Sequence, residues 1–219
     1  MDSAVSNTSI PPAAPQRSDA PLLGTASQGL KIVIVGGFGV GKTTMVRSVS
    51  EIRPLDTEAT MTDVGVGIDD PTGAPGKSTT TVAFDFGRIT IDAENVLYLF
   101  GAPGQQRFWF LWDRLFSGAL GAIVLVDRRR ISDSWYAIDR LESQGTAFVV
   151  ACNNFGGAQE LEKVRDALDL DPGVPLLDCD ARSRESAKQV LVTLVEQLYA
   201  RAQASARDQH AAQADGDRS

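Results

Sequence analysis

The sequence predicts an α/β fold, a mixed and mostly parallel six-stranded sheet with helices on both faces, on three observations. A strand-like run, Leu30 to Val35, leads into a glycine-rich loop and a helix. Continuous apolar runs then recur between helical patterns, as strands covered on both faces read. One pair of runs is spaced as a hairpin, which adds an antiparallel strand to the parallel set.

Taken in order, Leu30-Lys31-Ile32-Val33-Ile34-Val35 is the first strand and Thr44 to Ser50 the first helix. Arg53 to Ser78 holds most of the interior Gly and Pro and reads as a long irregular segment, of the kind that carries function. Thr79 to Asp92 and Asn95 to Phe100 form the hairpin, turning at Ala93-Glu94. Ala119 to Val126, Ala147 to Cys152 and Pro175 to Cys179 are the remaining strands. Helical patterns occupy about Gln106 to Ser117, Ser134 to Glu142, Gln159 to Leu168 and Glu185 to Arg201.

Composition narrows the function classes. With 219 residues, 43% of them hydrophobic, the chain holds one α/β domain with a full core. Residues 29–202 form that domain, and residues 1–28 and 203–219 read as disordered tails without an apolar face. A net charge of −7 offers no basic stripe, so a nucleic-acid partner is not expected. No apolar run is long enough to span a bilayer, and neither end carries a signal-peptide or lipidation pattern. These readings predict a cytoplasmic protein without direct membrane insertion, one that partners can recruit to the inner face of the membrane. Cys152 and Cys179 read as buried reduced thiols, and His210, the sole histidine, lies in a polar tail.

Gly36-Gly37-Phe38-Gly39-Val40-Gly41-Lys42-Thr43 matches the phosphate-binding loop G-x-x-x-x-G-K-[ST], in the strand–loop–helix context the motif requires. Glycines let successive backbone N–H groups curl around phosphate oxygens, and the helix N-terminus adds a favourable dipole. Gly36, Gly39, Val40, Gly41, Lys42, Thr43 and Thr44 are therefore candidate nucleotide contacts. Lys42 would neutralise the β- and γ-phosphates, and the Thr43 hydroxyl would bind Mg²⁺.

With this loop, Thr79 to Gly87 and Tyr98 to Phe108, the chain resembles a P-loop NTPase of the Ras-like small GTPase superfamily over roughly Leu30 to Ala202. More narrowly it resembles the small GTPase of actinobacterial conservon operons, a relative of bacterial polarity GTPases. The resemblance implies GTP and GDP as ligands, Mg²⁺ as cofactor, slow hydrolysis, and a roadblock (LC7-type) regulatory partner beside other conservon components. It puts Thr81 at the switch I threonine that completes the Mg²⁺ shell, with Thr80 as the rival. Switch II corresponds to Gly101-Ala102-Pro103-Gly104-Gln105. There Gly104 would face the γ-phosphate and Gln105 would orient the attacking water. The Asp of the Ras-like pattern is absent at Gly101, as it is in the polarity GTPases. Asp85 on the neighbouring strand either supplies that carboxylate or is an ordinary exposed strand residue. No arginine precedes Thr81, and Arg107 and Arg128-Arg129-Arg130 are weak substitutes.

The base-recognition motif departs further. Asn153 is kept, but the Lys and the specificity-bearing Asp of the family become Asn154 and Gly156. Asp180-Ala181-Arg182 stands where Ras-like proteins have Ser-Ala-Lys, with the Ala181 N–H placed near guanine O6. Guanine is the better reading, with adenine nucleotides as the alternative. On the switch II helix, Phe108, Trp109, Leu111, Trp112, Leu115 and Phe116 share one face at about 100° per residue and read as core. Phe110 projects opposite, either to anchor a partner or to tuck under the Arg53–Ser78 segment.

Two functions compete on these residues. One is a GTP-hydrolysing switch. The other is a nucleotide-binding assembly module with little or no hydrolysis. A small-molecule kinase, which needs an arginine-bearing lid, fits less well.

Overall fold

The computed structural model describes residues 28–53, 55–62, 79–155 and 160–216. Seven strands and five α-helices alternate along them: β1 (Gln28–Val35), α1 (Lys42–Val49), β2 (Leu55–Thr62), β3 (Thr79–Thr90), β4 (Asn95–Gly101) and α2 (Trp112–Phe116) come first. β5 (Gly121–Val126), α3 (Trp135–Ser143), β6 (Phe148–Asn153), α4 (Leu161–Leu168), β7 (Leu176–Cys179) and α5 (Arg184–Gly216) complete the chain. The strands form one sheet in the order β2-β3-β4-β1-β5-β6-β7. β1 pairs in parallel with β4 and β5, and the parallel set continues through β6 to β7. β3 runs antiparallel to β4, and β2 antiparallel to β3.

The fold class follows from period-two alternation along the central strands, which sends successive side chains to opposite faces. Ile32, Ile34, Ile123, Leu125, Val149 and Ala151 pack against Met45, Val46 and Val49 of α1 and Val190 and Leu194 of α5. Their neighbours Val33, Val35, Val124, Val126 and Val150 meet Trp112, Ile138, Leu141, Val164 and Leu168 from α2, α3 and α4. Each such side chain, buried completely, contributes about 1.5–3 kcal/mol before entropy is charged. Cys152 and Cys179 are both buried and lie in opposite layers. Burial pushes their thiols up to about 12 and about 11, which makes both unreactive at neutral pH.

Three elements differ from expectation. The sheet has seven strands, because Leu55–Thr62, inside the segment read as irregular, pairs residue for residue with β3. Thr57, Thr60 and Thr62 of β2 are β-branched and suit a strand, which here lies at the edge of the sheet. The switch II helix divides into a 3-10 stretch, Gln106–Leu111, and the short α2. Phe108 and Leu111 turn toward Phe84, while the Trp109 ring stacks on Tyr136 with centroids 3.7 Å apart, two demands one straight helix does not meet. α5 runs to Gly216, well past Arg201, through a stretch rich in Ala, Gln and Arg. Ala and Gln are good helix formers, so propensity carries the helix on past Arg201. The 1–27 tail and Gly156 lie outside the described residues. Among the described residues no helix is long and apolar enough to cross a membrane.

Candidate nucleotide-binding site

The site lies past the C-terminal ends of β1, β5, β6 and β7. Here neighbouring connections leave a sheet in opposite senses and open a crevice. β1 ends at Val35, and the backbone then turns through positive φ at Gly36 (+139°), Gly39 (+73°) and Gly41 (+110°). A side chain at Gly36 would meet the Leu125 carbonyl at 2.3 Å, and one at Gly41 the Asn153 Nδ2 at 2.5 Å. Glycine is required there on both counts. α1 begins at Lys42 with no side-chain cap, which leaves the first N–H groups of the helix for an anion.

Lys42 is buried, and its ammonium donates to the carbonyls of Gly36 at 2.8 Å and Gly37 at 2.7 Å. Burial pushes its pKa down to about 8, against a smaller opposing pull from Asp85. Because the folded value lies below the ordinary lysine value of 10.5, the unfolded chain holds more protons between pH 8 and 10.5. Stability of the free domain from this group therefore rises with pH through that window. A bound phosphate reverses the preference, since it favours the charged lysine. Nucleotide binding above pH 8 should then take up a proton, and affinity should fall by up to about tenfold per pH unit. Calorimetry in buffers of different ionisation enthalpy measures that uptake; pH-independent affinity from 7 to 10 would contradict it.

Thr43 Oγ1 donates to Asp85 Oδ2 at 2.7 Å. Asp85 lies opposite Gly101 in the β3–β4 register. A Cβ on Gly101 would sit 2.9 Å from both Asp85 Cβ and Oδ2. The Asp85 carboxylate thus fills the space a side chain at position 101 would take. Asp85 is partly buried beside the phosphate loop and is not an exposed strand residue.

Two cavities meet over the loop. One, of 510 Å³, is walled by Lys42, Thr43, Asp85, Gly101, Gly104 and Gln105 among others. Arg107 also reaches its wall, its guanidinium 4.6 Å from the Phe108 ring centre. Gly104 rests directly on the phosphate loop, for a Cβ there would come within 2.7 Å of Lys42 Nζ. The second cavity, of 430 Å³, shares Gly39, Gly41 and Thr44 with the first and adds Asn153, Asn154, Phe155, Ala181 and Arg182. Each cavity is of the size that holds part or all of a small ligand.

Asn153 is buried between them and acts on the protein itself. Its Nδ2 donates to the Val40 carbonyl at 2.8 Å, and its Oδ1 accepts from the Ala181 N–H at 3.0 Å. One side chain thereby ties the phosphate loop to the loop after β7. The Ala181 N–H, expected to face guanine O6, is engaged within the protein. The Asn154 N–H is spent likewise, on the Cys179 carbonyl at 2.7 Å. Asp180 accepts from the Arg182 backbone N–H and, through both oxygens, from its guanidinium at 2.9 Å. Arg182 thus holds Asp180 below the usual carboxylate range.

Thr81 is not brought to this cluster. It lies in β3 opposite Thr60, four residues before Asp85, or ~13 Å along an extended strand. Its side chain lies outside the described residues. Four residues that sequence reasoning passed over or rated as weak also reach the site. Asp127 follows β5 and is buried; the bonded Arg129 guanidinium holds its carboxyl down to about 2. Arg130 donates to the Phe38 carbonyl of the phosphate loop at 3.0 Å. Phe155 forms part of the second cavity. The available signal was positional, since each immediately follows a buried strand at the end where such sheets bind ligands.

The loop geometry and the two joined cavities define a P-loop nucleotide-binding protein. The model of a family described as conserved hypothetical ATP binding protein matches residues 34–201, and the chain belongs to that family. An uncharacterized protein of Methanocaldococcus jannaschii is 29% identical over 98 residues, which are 45% of this chain and 51% of that protein. The match therefore spans about half the length of that curated relative. Among solved structures, the FeoB G-domain from Methanococcus jannaschii superposes with a TM-score of 0.51 at 13% identity, covering 78% of this chain and 99% of that one. At that identity the likeness is one of fold.

Proposed function

We propose that this chain is a small nucleotide-dependent switch that binds GTP or GDP with Mg²⁺ and hydrolyses GTP slowly. The hydrogen bond from Thr43 to Asp85 carries the reading, because it sets a hydroxyl and a carboxylate beside Lys42 in the phosphate cavity. Among the described residues no group of three His, Cys, Asp or Glu gathers anywhere. A single carboxylate with a hydroxyl fits Mg²⁺, which keeps several waters and takes phosphate oxygens in place of an all-protein cage. When bound, the ion supplies charge neutralisation to the β- and γ-phosphates. Thr43 would ligate it, and Asp85 would hold one of its waters. The Thr81 hydroxyl joins them only if the start of β3 moves, the motion of a loop that orders around a γ-phosphate.

Gln105 orients the attacking water at the γ-phosphorus. The water oxygen bonds to the γ-phosphorus as the bond to the bridging oxygen breaks; Lys42 neutralises the charge left on the departing GDP, and the water's proton leaves with the released phosphate. Gly104 offers its N–H to the γ-phosphate. Without an arginine from switch I, turnover is slow until a partner adds charge. The resemblance to conservon and polarity GTPases supports a roadblock-type partner. Phe110, 57% exposed on the switch II stretch, supports docking there.

A second reading, an assembly module with little hydrolysis and relaxed base choice, draws on the engaged Ala181 N–H and on Gly156 in place of a carboxylate. The family description, which names ATP, points the same way on the base. Single-turnover assays with Mg²⁺ and GTP separate the two. Gln105→Leu should slow hydrolysis about a hundredfold with GDP affinity kept, as loss of a group acting only in the transition state does. Absence of hydrolysis in the wild type leaves the module reading.

A further inference from the structure

The second cavity has a wall that no base-recognition motif accounts for. Phe155 belongs to that wall and is 44% exposed. The Arg129 guanidinium lies over its ring, 4.3 Å from the centre. Arg129 is fixed in turn by Asp127: Nε donates to Oδ1 at 2.9 Å and Nη2 to Oδ2 at 2.8 Å. The carboxylate is itself buried, with 3% of its side chain exposed. A two-point pair to an immobile carboxylate sets the plane of the guanidinium, and that plane braces the aromatic ring.

We propose that Phe155, backed by Arg129 and Asp127, is the platform on which the nucleotide base stacks. This rests on the nucleotide-binding reading above. A flat apolar ring suits any base, because every base has a π-face. Stacking also fits the polar inventory of the cavity. Asn153 and the Ala181 N–H satisfy each other, the Asn154 N–H serves Cys179, and Arg182 is held by Asp180. From Asn153 to Gln159 the chain carries no carboxylate to pair with guanine N1–H and NH₂. The base is therefore gripped by its face more than by its edge, and purines of both kinds enter with similar affinity.

The test uses the full chain and three probes: GDP, ADP and inorganic pyrophosphate, which lacks a base. Phe155→Ala should weaken GDP and ADP together by about tenfold or more. Pyrophosphate affinity should stay within about twofold, and Phe155→Trp should restore both nucleotides. Arg129→Ala should give a smaller common loss, about threefold, as a cation removed from behind a ring does. Unchanged nucleotide affinity in Phe155→Ala overturns the platform. Equal loss of pyrophosphate overturns it too, since the residue then only supports the fold. Loss of one nucleotide alone overturns stacking in favour of edge reading. A wild type that binds none of the three removes the nucleotide-binding reading itself, an outcome distinct from all of these.

Discussion

Replacing Asp85 with alanine is expected to lower Mg²⁺-dependent nucleotide affinity or turnover by about 10- to 100-fold, the usual cost of losing a group that orients a metal's ligands. The fold should survive, because the hydrogen bond lost with Thr43 is only part-buried. Moving the carboxylate is the sharper experiment. Gly101→Asp alone should be destabilising, since its Cβ would stand 2.9 Å from Asp85 Cβ and would bring two carboxylates together. Asp85→Gly combined with Gly101→Asp should recover part of the Mg²⁺ response, because the two positions face each other across β3 and β4 and the exchange removes the Cβ that a side chain at position 101 would meet. Mg²⁺ titrations of hydrolysis and thermal unfolding read both effects. An Asp85→Ala protein with wild-type Mg²⁺ dependence would show that this carboxylate serves the strand pair alone.

Asn153→Ala should cost about 2–6 kcal/mol of stability, the second large effect. It leaves a buried carbonyl at Val40 and a buried N–H at Ala181 without their partner. Each buried polar group left unsatisfied costs about 1–3 kcal/mol. A fall in the urea midpoint with an unchanged slope measures that loss directly. Nucleotide affinity should drop as well, since Val40 and Ala181 belong to the loops that form the two cavities. A change below about 0.5 kcal/mol, typical of a surface site, would mean that the two loops hold their geometry independently.

How much of this was readable from the sequence depended on whether the determinant was local. Gly36, Gly39, Gly41 and Lys42 sit in one uninterrupted motif, and their backbone angles and contacts match what that motif demands. The buried strands were legible for the same reason, because runs such as Ala122 to Val126 are apolar throughout. Asp85 was legible only as an alternative. Its place against Gly101 depends on the β3–β4 register, a pairing between residues sixteen apart that no local pattern encodes. β2 was missed because an edge strand has weak apolar alternation and borrows its order from β3. The end of α5 was missed because its helicity comes from intrinsic propensity without an amphipathic stripe. Arg129 and Phe155 lie on different strand-end loops, twenty-six residues apart, and meet only through the parallel β5–β6 pairing. The Ala181 N–H shows the converse: its position was expected, but its engagement by Asn153 depends on a side-chain rotamer.

On the proposed reading, this loop and the Thr43–Asp85 pair form a Mg²⁺-assisted site for a nucleoside triphosphate that tells triphosphate from diphosphate. Calorimetric titration of GTP, GDP, ATP and ADP, each with and without Mg²⁺, tests it most directly. Binding is expected in every case, with a gain on adding Mg²⁺ that is larger for the triphosphates and different affinities for GTP and GDP. Equal affinity for GTP and GDP in the presence of Mg²⁺, or no heat of binding with any of the four, would contradict it.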